Sequence, residues 1–292
     1  MLNKKNNKPL MGFIGQGYVG KNYADYFESK GFKTVRYSLE KPYIKNKNLV
    51  SLCDVVFIGV PTPTTPRGFD DGVVRKAVKL VGDGKIAVIK STILPGKTIS
   101  IQKENPKKVV LYSPEFLSER TARYDVENPF VNVVGISKNS LTQRKAAKLV
   151  LSMVPKAKRD IVSTSTEAEI FKYCHNGSAY TQIVFFNMMY ELAKTLKADW
   201  SVIQNAIKAD TLIAQRYSNP FDKKEGRGAG GHCFIKDFAA LRELFSKKGA
   251  DKKGLELLKK MEEKNIELLT STGKDLALVE GVYGKKVLKK RR

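Results

Sequence analysis

The stretch PLMGFIGQGYVGKNYADYFESKG (residues 9–31) opens as an apolar run, passes through three spaced glycines and continues as an amphipathic pattern. Residues 9–14 have the length and composition of a buried strand. Tyr23, Tyr26 and Phe27 fall on one side of a helix that Gly31 stops. Between the two, Gly15-Gln16-Gly17-Tyr18-Val19-Gly20 fits G-x-G-x-x-G in the setting the pattern needs, after a strand and opening a helix. The first glycine permits a tight turn, the second lets backbone approach a pyrophosphate, and the third lets helix and strand pack closely. The helix N-terminus then faces the phosphates. A plain structural turn is the competing reading, and the setting favours dinucleotide binding.

Working outward, FKTVRYS (32–38), CDVVFIGV (53–60), KIAVIKST (85–92), KKVVLYSPEF (107–116) and FVNVVGIS (130–137) read as five further strands. Strands alternating with helical stretches predict a doubly wound parallel sheet, an α/β domain of Rossmann-like type. The second strand should end in an acid for the ribose hydroxyls. Ser38 stands at that place, with Glu40 two residues on, and Arg36 nearby could favour a 2′-phosphate. NAD remains the expected cofactor. After about residue 160 the texture changes. Residues 167–197 keep helical spacing without proline, 199–217 look helical again, 217–231 read as a loop, and 237–249 and 253–269 as two more helices. The expected organisation is an NAD-binding Rossmann-like domain over 1–160 and an all-helical domain over 161–292 that ends in a basic tail.

Composition bounds the rest. The chain has 292 residues, and 53 Lys and Arg against 29 Asp and Glu give a net charge of +24. Such a field favours phosphates and other anions. The basic residues are spread along the chain, with one dense run at 284–292, and no nucleic-acid-binding motif accompanies them. A basic, solvated surface is therefore expected, with no nucleic-acid partner. No apolar run approaches the ~20 residues of a membrane helix. The three cysteines, Cys53, Cys174 and Cys233, make no disulfide framework. A cytoplasmic protein without a membrane partner is expected. No cluster has metal-ligand spacing.

GRGAGGHCFIKD (226–237) places Cys233 after a glycine-rich approach, with His232, Lys236 and Asp237 close by. Positive charge near a thiol favours thiolate, the nucleophilic form. Asp237 lies one turn on if a helix starts near Phe234. A small buried residue at a helix start is the competing reading of Cys233 alone.

Taken in order, Gly15–Gly20, KSTILPGKT (90–98), SPEFLSERTA (113–122), EAEIFKYCHN (167–176) and GGHCFIKD (230–237) resemble the UDP-glucose/GDP-mannose 6-dehydrogenase family over about residues 9–245. The resemblance implies two successive hydride transfers to NAD from a sugar C6 alcohol, UDP-glucose by preference, with Cys233 carrying a thiohemiacetal and then a thioester. It further implies that Lys172 and Asn176 meet the developing oxyanion, that Asp237 and Thr92 hold an ordered water, and that Glu115 is the base of thioester hydrolysis. Pro61, Thr62, Ser91 and Thr92 match cofactor contacts. Phe116, Leu117, Glu119, Tyr217, Asn219, Gly230, Gly231 and Phe234 match the substrate side. A homodimer through the long helix is implied as well. His175, Cys53 and Cys174 are read as plain structural residues.

Three departures stand out. The family continues into a third, nucleotide-gripping domain, whose first strand GKKVL (284–288) resembles. Leu212 replaces an arginine that serves a neighbouring subunit's substrate. Met188 follows Asn187 where a glutamate is usual. They leave open another UDP-sugar or GDP-mannose as substrate, and a cofactor-binding relative that serves as an assembly subunit. A 3-hydroxyacid dehydrogenase of the same two-domain layout would need no Cys233.

Overall fold

Runs of consecutive buried apolar residues build the sheet of a computed structural model that describes residues 8–222, 226–249 and 251–289. Strands β1 (Met11–Ile14), β2 (Thr34–Tyr37) and β3 (Val55–Ile58) follow in sequence, and β1 and β3 are buried at every position. A two-residue pair, β4 (Thr64–Thr65) and β5 (Gly68–Phe69), stands apart from the main sheet. The sheet continues with β6 (Ile86–Ile89), β7 (Val109–Tyr112), β8 (Asn132–Ile136) and β9 (Asp160–Thr164). Its order is β2-β1-β3-β6-β7-β8-β9. Burial on both faces is the signature of strands covered by helices on each side. The helices are α1 (Tyr18–Ser29), α2 (Gly72–Leu80), α3 (Lys97–Glu104), α4 (Ala122–Glu127) and α5 (Leu141–Met153). One face buries Phe13, Phe57, Val88 and Leu111 with Tyr23, Ala24 and Phe27 of α1 and Ala146, Ala147 and Val150 of α5. Removing a ring such as Phe27 from this cluster would cost about 3–5 kcal/mol.

The doubly wound sheet holds, with one correction: β8 runs antiparallel to β7, pairing Leu111 with Ile136 and Tyr112 with Gly135, and β9 is parallel to β8. A parallel crossover needs a helix long enough to carry the chain back along the sheet. The segment after β7 holds only the short α4, which packs on α1. The chain therefore re-enters the sheet from the end it had just left. Strand β9 escaped the sequence reading because its residues are exposed or half-buried, with no apolar run.

The remaining elements are α6 (Ser165–Thr195), α7 (Trp200–Ala209), β10 (Phe221–Asp222), β11 (Gly226–Arg227), α8 (Gly231–Lys248), α9 (Lys252–Thr272), α10 (Leu276–Tyr283) and α11 (Lys286–Lys289). The chain separates into two compact units, one of residues 1–62 and 71–172, the other of 63–70 and 173–292. The helical reading of 199–217 ends early, since α7 stops at Ala209 and a short 3₁₀ turn at Gln215–Tyr217 follows. Helix α8 starts six residues before the predicted helix at 237, so Cys233 is its third residue and not part of a flexible approach. Lys286–Lys289 is a helical turn and not the opening of a strand. Residues 290–292 of the basic tail lie outside the described residues.

Candidate active site

The glycine loop has the geometry that its sequence demands. Gly15 has φ +91°, and a Cβ there would stand 2.2 Å from the carbonyl oxygen of Gly59. A Cβ on Gly20 would stand 1.9 Å from the Gly15 oxygen, so the first and third glycines are required by close approach of backbone to backbone. Gly17, which caps α1, faces open space, with nothing within 4 Å of an added Cβ. That opening at a helix N-terminus leaves room for an anion such as a pyrophosphate. Gln16 folds back, its Nε2 donating to the oxygens of Phe13 and Gly15. Tyr18 and Val19 open the helix half-buried. Because β2 and β3 lie on either side of β1, this loop sits where the strand order reverses, the usual ligand position of such sheets. The residues present fit a dinucleotide.

Arg36 is not free for a 2′-phosphate. Its guanidinium is bidentate to Glu28 and also pairs with Asp25 at 2.6 Å. Ser38 follows β2 directly, its hydroxyl 3.3 Å from the backbone of Glu40. Ser91 accepts from Val60 N at 2.9 Å and donates to Val60 O at 2.7 Å, fixing the chain just before Pro61 and Thr62. Thr62 is buried, Pro61 exposed and Thr92 half-buried. The loop beyond Thr92 is tied down by the fully buried Glu169, which accepts from Gly96 N, Thr98 N and Thr98 Oγ1.

In the same unit, Glu115 follows β7 and is held at several points. Its carbonyl oxygen accepts from Lys172 Nζ at 2.5 Å, and its Oε1 accepts from Phe116 N at 2.8 Å. The Lys172 ammonium also lies 5.2 Å from the centre of the Phe116 ring. Leu117 is half-buried, and Glu119 is exposed in a short 3₁₀ turn. Sequence reasoning missed Lys90, whose ammonium is 3.0 Å from Glu115 Oε2. A lysine closing the apolar run IAVI was the available signal.

In the second unit, α8 places Cys233 and Asp237 one turn apart, as the sequence predicted for a helix in this position. Asp237 is buried, accepting from Asn176 Nδ2 at 2.7 Å and from Lys236 Nζ at 2.5 Å. Cys233 is half-buried and Asn176 is buried on α6. Phe234 meets Tyr217 edge-on, with ring centres 5.9 Å apart. Asn219 is exposed and accepts from Phe221 N. The approach to Cys233 is clamped: Gly228 O accepts from Lys274, Ala229 exchanges two hydrogen bonds with the Asn265 side chain, and Gly231 N donates to Asp275. Arg227 reaches α6, where it donates to Asn187 and pairs with Glu191. Thus Glu191, one turn beyond Met188, supplies an acid on that helix. Burial, with Asp54 beside it, pushes the Cys53 thiol up to about 11. Among the described residues no group of three His, Cys, Asp or Glu could hold a metal ion, and no helix is long and apolar enough to cross a membrane.

Residues 43–151 match the NAD binding domain of the UDP-glucose/GDP-mannose dehydrogenase family, and residues 166–267 match its central domain. UDP-glucose 6-dehydrogenase of Rickettsia prowazekii is 28% identical over 260 residues, which span 80% of this chain and 58% of the relative. UDP-glucose 6-dehydrogenase TuaD of Bacillus subtilis is 30% identical over 72% of this chain and 46% of its own length. The chain thus spans about half the length of these relatives. A UDP-glucose dehydrogenase structure from Pyrobaculum islandicum superposes with a TM-score of 0.76 at 24% identity, covering 93% of this chain and 72% of that one. With an NAD-binding domain and a central domain both matched in order, the chain belongs to the UDP-glucose/GDP-mannose dehydrogenase family.

Proposed function

We propose that the chain is an NAD-dependent nucleotide-sugar 6-dehydrogenase that oxidises the C6 alcohol of UDP-glucose to the carboxylate of UDP-glucuronate. The observation that carries this reading is the buried bond from Asn176 to Asp237, one turn of α8 after Cys233. A thiol, an amide donor and a carboxylate on two braced helices are the parts that covalent capture of an aldehyde requires.

NAD, when bound, would supply the hydride acceptor for each of two successive oxidations. In the first, the C6 hydroxyl gives its proton to a water held at Asp237 or Thr92, and the alcohol becomes an aldehyde. The Cys233 thiolate adds to that aldehyde, forming a C–S bond and an alkoxide. Lys172 and Asn176 donate to this oxygen as its charge develops, a form of stabilisation worth several kcal/mol. Loss of the second hydride leaves a thioester on Cys233. Water then adds to the thioester carbonyl with its proton passing to Glu115. The C–S bond breaks, and the thiolate returns with the sugar carboxylate released. On the substrate side we place Phe116, Leu117, Glu119, Tyr217, Asn219, Gly230, Gly231 and Phe234.

The apolar face of α6 supports a homodimer through this helix. Ile170, Phe185, Met188 and Leu192 are each about half exposed and recur at helical spacing along one side. Three cysteines, an odd number in a long chain, make no disulfide framework and support a cytoplasmic setting. One observation favours the assembly-subunit reading: Leu212 is 93% exposed and offers no charge where the family has an arginine. NADH formation against a panel of UDP- and GDP-sugars separates the readings. Two NADH per sugar with UDP-glucose preferred is expected. One NADH per sugar would remove the role of Cys233, preference for GDP-mannose would change the substrate, and NAD binding without turnover would favour the assembly subunit.

A further inference from the structure

Lys90 carries a charge into a place where charge is costly. It directly follows β6, is 6% exposed, and has no role in the chemistry outlined above. Burying an ammonium costs several kcal/mol unless partners compensate it. A methionine would fill similar space without that cost.

The sheet sets its position. Lys90 N donates to Ile58 O at 2.8 Å, and Ser113 N donates to Ile89 O at 2.9 Å, so Lys90 and Ser113 stand side by side at the ends of β6 and β7. The Lys90 ammonium lies 3.3 Å from Ser113 Oγ and 4.4 Å from the centre of the Tyr23 ring. Its third neighbour is Glu115 Oε2 at 3.0 Å. That oxygen is buried, and Lys90 meets it as an ion pair. The other oxygen, Oε1, is taken by Phe116 N. The Tyr23 hydroxyl lies against the same carboxylate. Burial first, and the Glu115 charge second, push this phenol well above its ordinary value, so it stays neutral.

We propose that Lys90, backed by Tyr23, is a positioning residue that holds the Glu115 carboxylate by charge in the orientation that proton transfer from water requires. The inference rests on the reading of Glu115 as the base of thioester hydrolysis. A carboxylate swinging on a free side chain would lose the alignment that this step needs, and a misplacement of 1 Å can cost about a hundredfold.

The test uses the full chain with NAD and UDP-glucose. Covalent adduct on Cys233 is followed by intact-protein mass spectrometry of quenched samples, beside KM, kcat and melting temperature. Glu115→Gln should accumulate the thioester. Lys90→Met should accumulate it too, hydrolysing about 10- to 100-fold more slowly with KM within about twofold. Lys90→Arg should recover part of the rate. In the Glu115→Gln background, Lys90→Met should slow hydrolysis by less than about threefold, because the two act through one group. If Lys90→Met proves unfolded, Lys90→Arg and Tyr23→Phe carry the test, each expected to slow hydrolysis about 3- to 10-fold. A folded Lys90→Met hydrolysing at the parental rate, or a full loss repeated in the Glu115→Gln background, overturns the inference while leaving Glu115 as base. No adduct in Glu115→Gln overturns the reading of Glu115 itself, and the inference with it.

Discussion

Asn176 donates to Asp237 at 2.7 Å, tying the middle of the 31-residue helix α6 to the first turns of α8. The bond joins two residues 61 positions apart in sequence and fixes the helix that carries Cys233. Asp237→Asn keeps the shape but removes the charge. We expect turnover to fall by about 10²- to 10³-fold with little change in melting temperature. Asn176→Ala instead removes a buried donor from a carboxylate and should cost about 1–3 kcal/mol of stability as well. Initial NADH rates and thermal melts on both variants check this, and unchanged turnover in Asp237→Asn would sink the assignment.

Cys233 is the only group proposed to bond covalently to the substrate. Cys233→Ser should yield no more than one NADH per sugar, where two are expected of the parent. Counting reduced cofactor at completion decides it. A Cys233→Ser variant that keeps full turnover would favour 3-hydroxyacid dehydrogenase chemistry, a single hydride transfer that needs no thiol.

The glycine loop offers a paired test of cofactor binding. Gly17 has φ −71° and ψ −173°, open to any residue, and its Cβ would meet nothing. Gly17→Ala should therefore keep or slightly raise the melting temperature while weakening NAD binding about tenfold, ~1.4 kcal/mol. Gly20→Ala puts a Cβ 1.9 Å from the Gly15 oxygen and should destabilise the fold by about 3 kcal/mol. Calorimetric NAD titration with thermal melts separates the two effects. Equal NAD affinity in Gly17→Ala would argue against pyrophosphate at this loop.

Arg36 should act on stability and not on cofactor choice. Hydrogen bonds from Arg36 hold the Glu28 carboxyl below its ordinary value, and those from Lys21 and Arg36 outweigh burial to do the same for Asp25. A depressed folded pKa gives stability that is present above the unfolded value, here about 4, and lost as pH falls through the folded one. Arg36→Ala should thus lower stability by about 1 kcal/mol at pH 7, a modest figure because the carboxylates are partly exposed. The gap in melting temperature between parent and variant should close as pH drops below about 4. Preference for NAD over NADP should be the same in both proteins. A variant that alters that preference would return Arg36 to the ribose site.

The exposed face of α6 predicts association. Phe185 and Met188 are 51% and 50% exposed on the same side of the helix. Phe185→Glu combined with Met188→Glu should convert a dimer to a monomer, as read by light scattering at micromolar concentration. A parent protein that is already monomeric there would defeat the dimer.

The sequence by itself determined the strand–glycine–helix opening, five of the six further strands of the main sheet, the long helix and the order of the five motifs. Those features are local: apolar runs fix strands, 3.6-residue spacing fixes helices, and the approach of Gly20 to the Gly15 carbonyl admits no side chain. Tertiary structure decided the rest, because partners far apart in sequence leave no local trace. Strand β9 lacks an apolar run and forms only because β8 supplies a ladder. The antiparallel entry of β8 follows from where α4 packs. Gly231 begins α8 ahead of Cys233 because Asp275 and Asn265, from α9 and its following turn, hold the approach. Lys90 reads as one more surface lysine until β6 and β7 lie side by side and bring it to Glu115. Only that adjacency turns a charge from a solvated one into a buried one with a partner.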